Sequence, residues 1–331
     1  MKELTCITIP APSWKVRSLC WRGDSLLDYI AGQIEYHLDG TSTSLKWGIS
    51  YPFNRSVALP DGSYSVVYDC LGTKAVILKG NSLIREINRS YYHADVYEYP
   101  IAIFKLPGGR PVIAHCPDEY CKLEIEDAET GERLTTRTNK PTDFFHSRLQ
   151  TTPDGKFLVS AGWVWHPVDV IRLFNVEDAL KEPELLDGDS ESEALCKSEA
   201  VEQFDLLDMS SAAFHGTDQL VWTGGDGENH PQQIISIYDL QKRENISTAH
   251  LEEIGGTLMA MDGYVVDFYD HPKLLDLKTG KVLHRWSKIQ SGKQVGCIIR
   301  DADSVPPIAM DGANKRFAVA EKDTITVIQL G

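Results

Sequence analysis

The chain has 331 residues, 42% of them apolar and 24% charged, with a formal net charge of -15. These are ordinary globular values, which exclude collagen-like and disordered compositions, and no stretch approaches the roughly 20 apolar residues of a membrane-spanning helix. So acidic a chain lacks the basic surface that grips a nucleic-acid backbone, so nucleic acid and membrane are excluded as partners and a basic protein is favoured.

The chain opens with MKELTCITIPAPSW, which carries acid at Glu3 and no continuous apolar run of the kind a secretory leader needs; the expectation is a cytoplasmic protein. Seven cysteines, odd in number and scattered, point to reduced thiols rather than a disulfide framework. Residues 2–9, KELTCITI, alternate in the manner of a strand before Pro10 and Pro12.

A glycine-containing turn then recurs at Arg22-Gly23, Asp61-Gly62, Gly108-Gly109, Asp154-Gly155, His215-Gly216, Asp262-Gly263 and Asp311-Gly312, with gaps of 39, 47, 46, 61, 47 and 49 residues. The first turn leads into SLLDYIAG and the others into YSVVYDC, RPVIAHC, KFLVSAGWVW, QLVWTGG, YVVDFY and RFAVAE. A second apolar run follows each: QIEYHL, KAVIL, CKLEIED, DVIRLFNV, QIISIYDL, KLLDL and TITVIQL. Short runs rich in Val, Ile, Tyr and Phe between Gly, Pro, Asp and Asn are strands. Several of the second runs end on Asp127, Asn175, Asp239 or Asp276, and Thr130-Gly131 and Thr279-Gly280 lead to fourth strands such as ERLTTR and KVLHRW.

Units of this period that hold four antiparallel strands form a β-propeller. The reading is an all-β fold over residues 1–331, a single seven-bladed propeller of four-stranded antiparallel blades, with six or eight blades as alternatives. The last unit stops after its third strand, so residues 2–9 are expected to pair beside 323–330 and close the ring.

TTPDGKFLVSAG followed by VIRLFNV resembles a WD-repeat blade, as does LLDLKTGKVLHRW. The Trp-Asp position reads Phe174-Asn175, Tyr238-Asp239 or Leu275-Asp276, and no Gly-His opens a blade, so the chain is similar to a divergent propeller of prokaryotic type. That resemblance implies a non-enzymatic scaffold that presents one face to another protein.

One compositional break stands out at residues 177–208, where twelve acids face two lysines. It reads as a solvated acidic insertion around a degenerate outer strand, or as a docking loop for a basic partner. Asp187, Asp189 and Glu191 alternate like part of a calcium loop but lack its glycine and terminal glutamate.

No nucleophile elbow, zinc-protease helix, phosphate-binding loop or dinucleotide fingerprint is present. Gly224-Gly225-Asp226-Gly227 reads as a flexible hairpin loop. A positional recurrence is more informative: His166-Pro167, Asn229-His230-Pro231 and Asp270-His271-Pro272 each join the second and third strands of a unit, with His115-Cys116-Pro117-Asp118 as a relative. In an up-and-down blade these turns share an edge with the connections between blades. His115, Trp165, His166, Asp226, His230, Asp270 and His271 are therefore the candidate partner-binding face, with no catalytic residue, metal ligand set or cofactor assigned. Proline's fixed φ would explain the same turns structurally. Trp163, Trp165 and Trp222 read as packing between blades, with Trp163 or Trp165 an exposed anchor where it reaches the turn; these and Tyr91, Tyr92, Tyr97 and Tyr99 are secondary interface candidates.

The functional expectation is a monomer that binds another protein, one specific form being an inhibitor or immunity-type partner of a basic effector. The alternative is a metal-assisted hydrolase, lactonase-like, with its site at the channel mouth.

Overall fold

The computed structural model describes residues 1–11, 16–45, 48–165, 168–188, 207–226, 230–299 and 301–331, excepting the side chains at 207, 226, 230–233 and 303. Seven antiparallel sheets follow one another along the chain. After β1 (Glu3–Pro10), blade 1 comprises β2 (Cys20–Arg22), β3 (Ser25–Asp28), β4 (Ile34–His37) and β5 (Ser42–Ser44). Blade 2 comprises β6 (Arg55–Ala58), β7 (Tyr64–Tyr68), β8 (Lys74–Lys79) and β9 (Ser82–Asn88). Blades 3 and 4 hold β10 (Ile101–Lys105), β11 (Pro111–His115) and β12 (Glu124–Asp127), then β13 (Leu149–Thr151), β14 (Phe157–Val164) and β15 (Val168–Asn175). Helix α1 (Val176–Lys181) follows. Blade 5 is β16 (Leu207–His215), β17 (Gln219–Asp226), β18 (His230–Asp239) and β19 (Glu244–His250). Blade 6 is β20 (Leu258–Met261), β21 (Tyr264–Asp267), β22 (Lys273–Asp276) and β23 (Val282–Arg285). Blade 7 is β24 (Ile308–Asp311), β25 (Arg316–Glu321) and β26 (Thr324–Leu330).

The ring closes where the sequence placed its seam. β1 pairs antiparallel with β26, Cys6 opposite Ile328 and Ile9 opposite Ile325, so the fourth strand of blade 7 comes from the start of the chain. The first strand of each blade lies innermost, β2 touching both β6 and β24.

Burial explains the strand patterns. Middle strands are sandwiched between neighbouring blades, so every residue of Tyr64–Tyr68 is buried and the run is apolar but for Ser65. The outer strand Ser82–Asn88 is largely open, with Ile87 turned inward. The core is thus divided into layers between blades. Val159, Ile171 and Leu173 of blade 4 meet Leu220, Trp222 and Ile234 of blade 5. Each such aliphatic side chain contributes about 1.5–3 kcal/mol.

The recurring glycines serve the turn from first to second strand. Gly23, Gly62, Gly109, Gly155, Gly216 and Gly263 all have positive φ, which glycine adopts without steric cost. Gly312 does not; in blade 7 the left-handed residue is Lys315. A Cβ on Gly155 would overlap the Lys105 carbonyl oxygen, so this turn also sets how closely blades 3 and 4 approach.

The acids that end the third strands are turn-formers. Asp127 Oδ1 accepts from the amides of Glu129 and Thr130, and Asp239 Oδ1 from those of Gln241 and Lys242. Asp276 Oδ1 takes the Thr279 amide and hydroxyl, and Asn175 Oδ1 caps α1 through the Asp178 amide. One short polar side chain folds back on the following backbone at all four positions.

Three expectations need correction. Among the described residues blades 3 and 4 have three strands: ERLTTR supplies only a bridge between Glu126 and Arg133. In blade 4 the chain turns into α1 after β15, because the Asn175 cap and the Val176 and Ala179 contacts with the blade 3–4 core favour helix there. The acidic stretch is correspondingly not all solvated: Leu186 is buried and Asp187 holds Arg137 through contacts of 2.8 and 2.6 Å, while 189–206, with Asp189 and Glu191, lie outside the described residues. Gly224, Gly225 and Asp226 belong to β17 rather than to a loop, since the β16–β17–β18 pairing runs to the end of the blade; Gly227 lies outside the described residues.

Candidate partner-binding face

Strand alternation sets one face of the ring. Turns between second and third strands and connections between blades emerge on the same side. The connection between β23 and β24, described at 286–299 and 301–307, crosses that side as a strap. Asp270 pairs with Gly292 at blade 6, and the Val295 carbonyl accepts from Ser211 Oγ of blade 5 at 3.0 Å. Ile298 pairs with Tyr97 in the blade 2–3 connection, and Arg55 of blade 2 donates to the Ala302 and Val305 carbonyls at 2.8 and 3.2 Å.

Arg148 is the hub beneath this strap. It is buried, and its guanidinium donates to the Ser210 carbonyl (2.9 Å), Ser211 Oγ (3.0 Å), Thr257 Oγ1 (3.0 Å) and the Val295 carbonyl (3.3 Å). One cation thereby joins the inner ends of blades 4, 5 and 6 to the strap.

The residues expected to form the face fare differently. His115 is 1% exposed, its Nε2 3.2 Å from Glu126 Oε2, and offers no surface. Burial would raise the Glu126 carboxyl, but His115 and Arg85 overcome it and hold the group at about 2. His271 directs Nδ1 at the Ile289 carbonyl (2.7 Å) and Nε2 towards Asp270 (3.5 Å), while the Asp270 amide donates to the Gly292 carbonyl (2.6 Å). In blade 6, then, the His-Pro turn anchors the strap. Asp226 and His230 face each other across the β17–β18 pairing, and their side chains, like the whole of His166, lie outside the described residues.

Trp165 is 42% exposed and sits in an aromatic cluster that three connections build together. Phe145 and Trp163 exchange backbone hydrogen bonds of 2.9 and 3.1 Å, and this pairing stacks their rings at 4.1 Å and 13°. Trp165 stands at 79° to Trp163 with centroids 5.2 Å apart, and His93 stands at 79° to Trp165, again at 5.2 Å. Tyr120 stacks on Phe145 at 4.2 Å, and Tyr92 lies 4.9 Å from Tyr120. Tyr91 and Tyr92 are exposed, whereas Tyr97 and Tyr99 are buried with the Arg89 guanidinium 4.7 Å from each ring; the latter two build the fold. His93, Phe145, Tyr120 and Asp95 were not singled out from the sequence. The run Tyr91-Tyr92-His93 in a connection was the available signal, since large aromatics on a surface loop need a partner or a purpose.

Opposite Trp163 in the β14–β15 register the strap meets a half-buried acid. The Asp169 carboxylate occupies the space that a side chain at Gly296 would need, with Oδ1 3.7 Å from Cys297 Sγ. Its amide donates to Asp208 Oδ1 at 2.8 Å. Loss of solvation and the Asp208 charge push Asp169 up to about 7, against the pull of Arg148, and burial raises Asp208 as well. Burial and the neighbouring Asp169 push the Cys297 thiol well up, which makes it a poor nucleophile. Among the described residues no three His, Cys, Asp or Glu side chains are grouped so as to hold a metal ion, and no helix is long and apolar enough to cross a membrane.

No family model and no curated protein matches the chain. Among solved structures, 1055 chains match, so the architecture is widely shared and does not by itself select a function. One is a chain from the crystal structure of mitotic checkpoint complex, with a TM-score of 0.55 and 10% identity, covering 99% of this chain and 92% of that one. At that identity the likeness establishes the fold.

Proposed function

We propose that this propeller is a non-enzymatic interaction scaffold that docks a basic protein on the strap-bearing face, as a monomer and in the cytoplasm. The observation that carries the reading is the exposed Trp165 in the lining of a cavity of about 480 Å³, with the exposed Tyr92 in the same aromatic cluster. Large rigid aromatics set beside a pocket are the usual anchors of an interface. The net charge of -15 supports a basic partner, and the likeness to a chain from a protein complex is compatible with it. Six free cysteines among the described residues suit a reducing compartment. An inhibitor or immunity-type role is one form of this reading. His115, Trp165, His166, Asp226, His230, Asp270 and His271 were grouped by their position in the repeat; within that group we place the contact at Trp165 and assign Asp270 and His271 to support of the strap.

Affinity capture from cells that express the protein naturally tests this, with the wild type beside Trp165→Ala combined with Tyr92→Ala, and His271→Ala. A stoichiometric basic protein retained by the wild type and by His271→Ala but lost from the double variant is expected. Retention by the double variant would move the contact elsewhere.

A further inference from the structure

The cavity beside Trp165 has a chemistry more specific than an aromatic patch. It is lined by His93, Asp95, Val96, Trp163 and Trp165, with Ile298 and Ile299 from the strap. The two indoles meet at 79°, and the imidazole stands at 79° to Trp165, so a ligand entering the corner meets ring faces and edges together. Asp95 is exposed and brings a carboxyl group, and among the described residues no lysine or arginine lines the cavity. The neighbouring cation, Arg89, is 3% exposed and spent on the carbonyls of Gly72 (2.7 Å), Ala94 (2.6 Å) and Tyr97 (3.1 Å). A carboxyl group is therefore left in one cavity with the exposed Trp165 ring, without an internal counter-charge from the described cavity lining.

We propose that this cavity receives an arginine side chain of the protein partner, its guanidinium stacked on Trp165 and forked onto the Asp95 carboxylate. The proposal rests on reading this face as the docking surface. Four ligand chemistries can be weighed. An acidic side chain would be repelled by Asp95 and by the chain's overall charge. An apolar side chain would cover Asp95 and leave its charge desolvated and unpaired. The lysine ammonium is a compact, strongly hydrated charge, and apolar walls offer little to replace its water. The guanidinium is planar, weakly hydrated and rich in donors; it can lie on an indole face while two N–H groups meet the carboxylate. Arginine is the side chain whose needs the corner meets in full.

The test uses the full chain and blocked pentapeptides of glycine with one central arginine, lysine or citrulline, titrated by tryptophan fluorescence and calorimetry. Saturable arginine binding is expected, with citrulline, the neutral isostere, at least about tenfold weaker. Asp95→Asn should weaken the arginine peptide about tenfold and flatten its salt dependence, and Trp165→Ala should abolish the fluorescence response. Asp95 is a surface side chain, so the isosteric variant is expected to keep the wild-type melting temperature. Equal binding of citrulline and arginine, no saturation at 10 mM arginine peptide, or an indifferent Asp95→Asn would each overturn the assignment, the concentration being about the weakest affinity a one-residue anchor would give. The two readings separate cleanly. A captured partner lost from the Trp165→Ala, Tyr92→Ala double variant but held by Asp95→Asn would leave the docking face standing and remove the arginine. A partner held by the double variant would remove the docking face itself.

Discussion

Blades 4 and 6 turn the same corner, between second and third strands, on the same face, with opposite results. In blade 6, Asp270 and His271 are consumed by the strap, one through its amide to Gly292 and the other through its ring to Ile289. In blade 4 the chain leaves Trp165 open and surrounds it with His93 and Phe145 from two other connections. Equivalent repeat positions therefore do not make equivalent sites. What distinguishes them is which non-repeating connection arrives at each, and a connection can as readily occupy a turn as wall a pocket around it.

The largest effect should come from Arg148, on which the strap and three blades converge. Arg148→Ala removes four hydrogen bonds made by one buried cation, at a cost of about 4 kcal/mol. Urea denaturation would measure this. An unchanged midpoint would mean that the strap is held from its ends and not from this hub.

Asp169 separates the blades by pH. Its native value of about 7 lies above the ordinary 3.8, so between about pH 4 and 7 the unfolded chain releases this proton before the native protein does. The native state binds more protons in that window, so this group's contribution falls as pH rises through it, by about 4 kcal/mol in all, and is level above it. Asp169→Asn should accordingly be more stable than wild type at pH 8, and the difference should disappear near pH 4. Thermal melts across that range decide it, and parallel curves would contradict the sign.

Gly162 lies in β14, where a Cβ would overlap the Phe145 carbonyl oxygen and come within 2.7 Å of the Phe144 ring. Since Phe145 is paired to Trp163 it cannot retreat freely, so Gly162→Ala should cost about 2 kcal/mol and shift the tryptophan emission. His271→Ala should be the mildest, about 1 kcal/mol for the lost bond to Ile289, and should leave that emission as it is. A matching spectral shift in both variants would show that the strap couples the two turns.

The blade plan was legible because it is local. The Asp-Gly turns require left-handed φ at a fixed spacing, the runs that follow have the composition of buried strands, and a last unit lacking its outer strand implies the pairing that β1 makes with β26. The outer edges of blades 3 and 4 were less legible, since outer strands are exposed and weakly patterned. Of the candidate site, Trp165 and the tyrosines at 91 and 92 were visible as aromatics near turns. His93, Asp95 and Ile298 were not, because nothing in a connection's own residues says which blade it will lie against.

The sequence by itself therefore determined the strands, the turn chemistry and the closing of the ring, all of which follow from short-range backbone preference and two-residue alternation. Only the tertiary structure decided the path of the strap, which binds Val295 to Arg148 across 147 positions and brings Ile298 into one cavity with Trp165. The physical reason is that a segment without period carries no pattern to match. Its place is chosen by the carbonyls and cavities that the finished blades leave unpaired, and these exist only once the ring has closed.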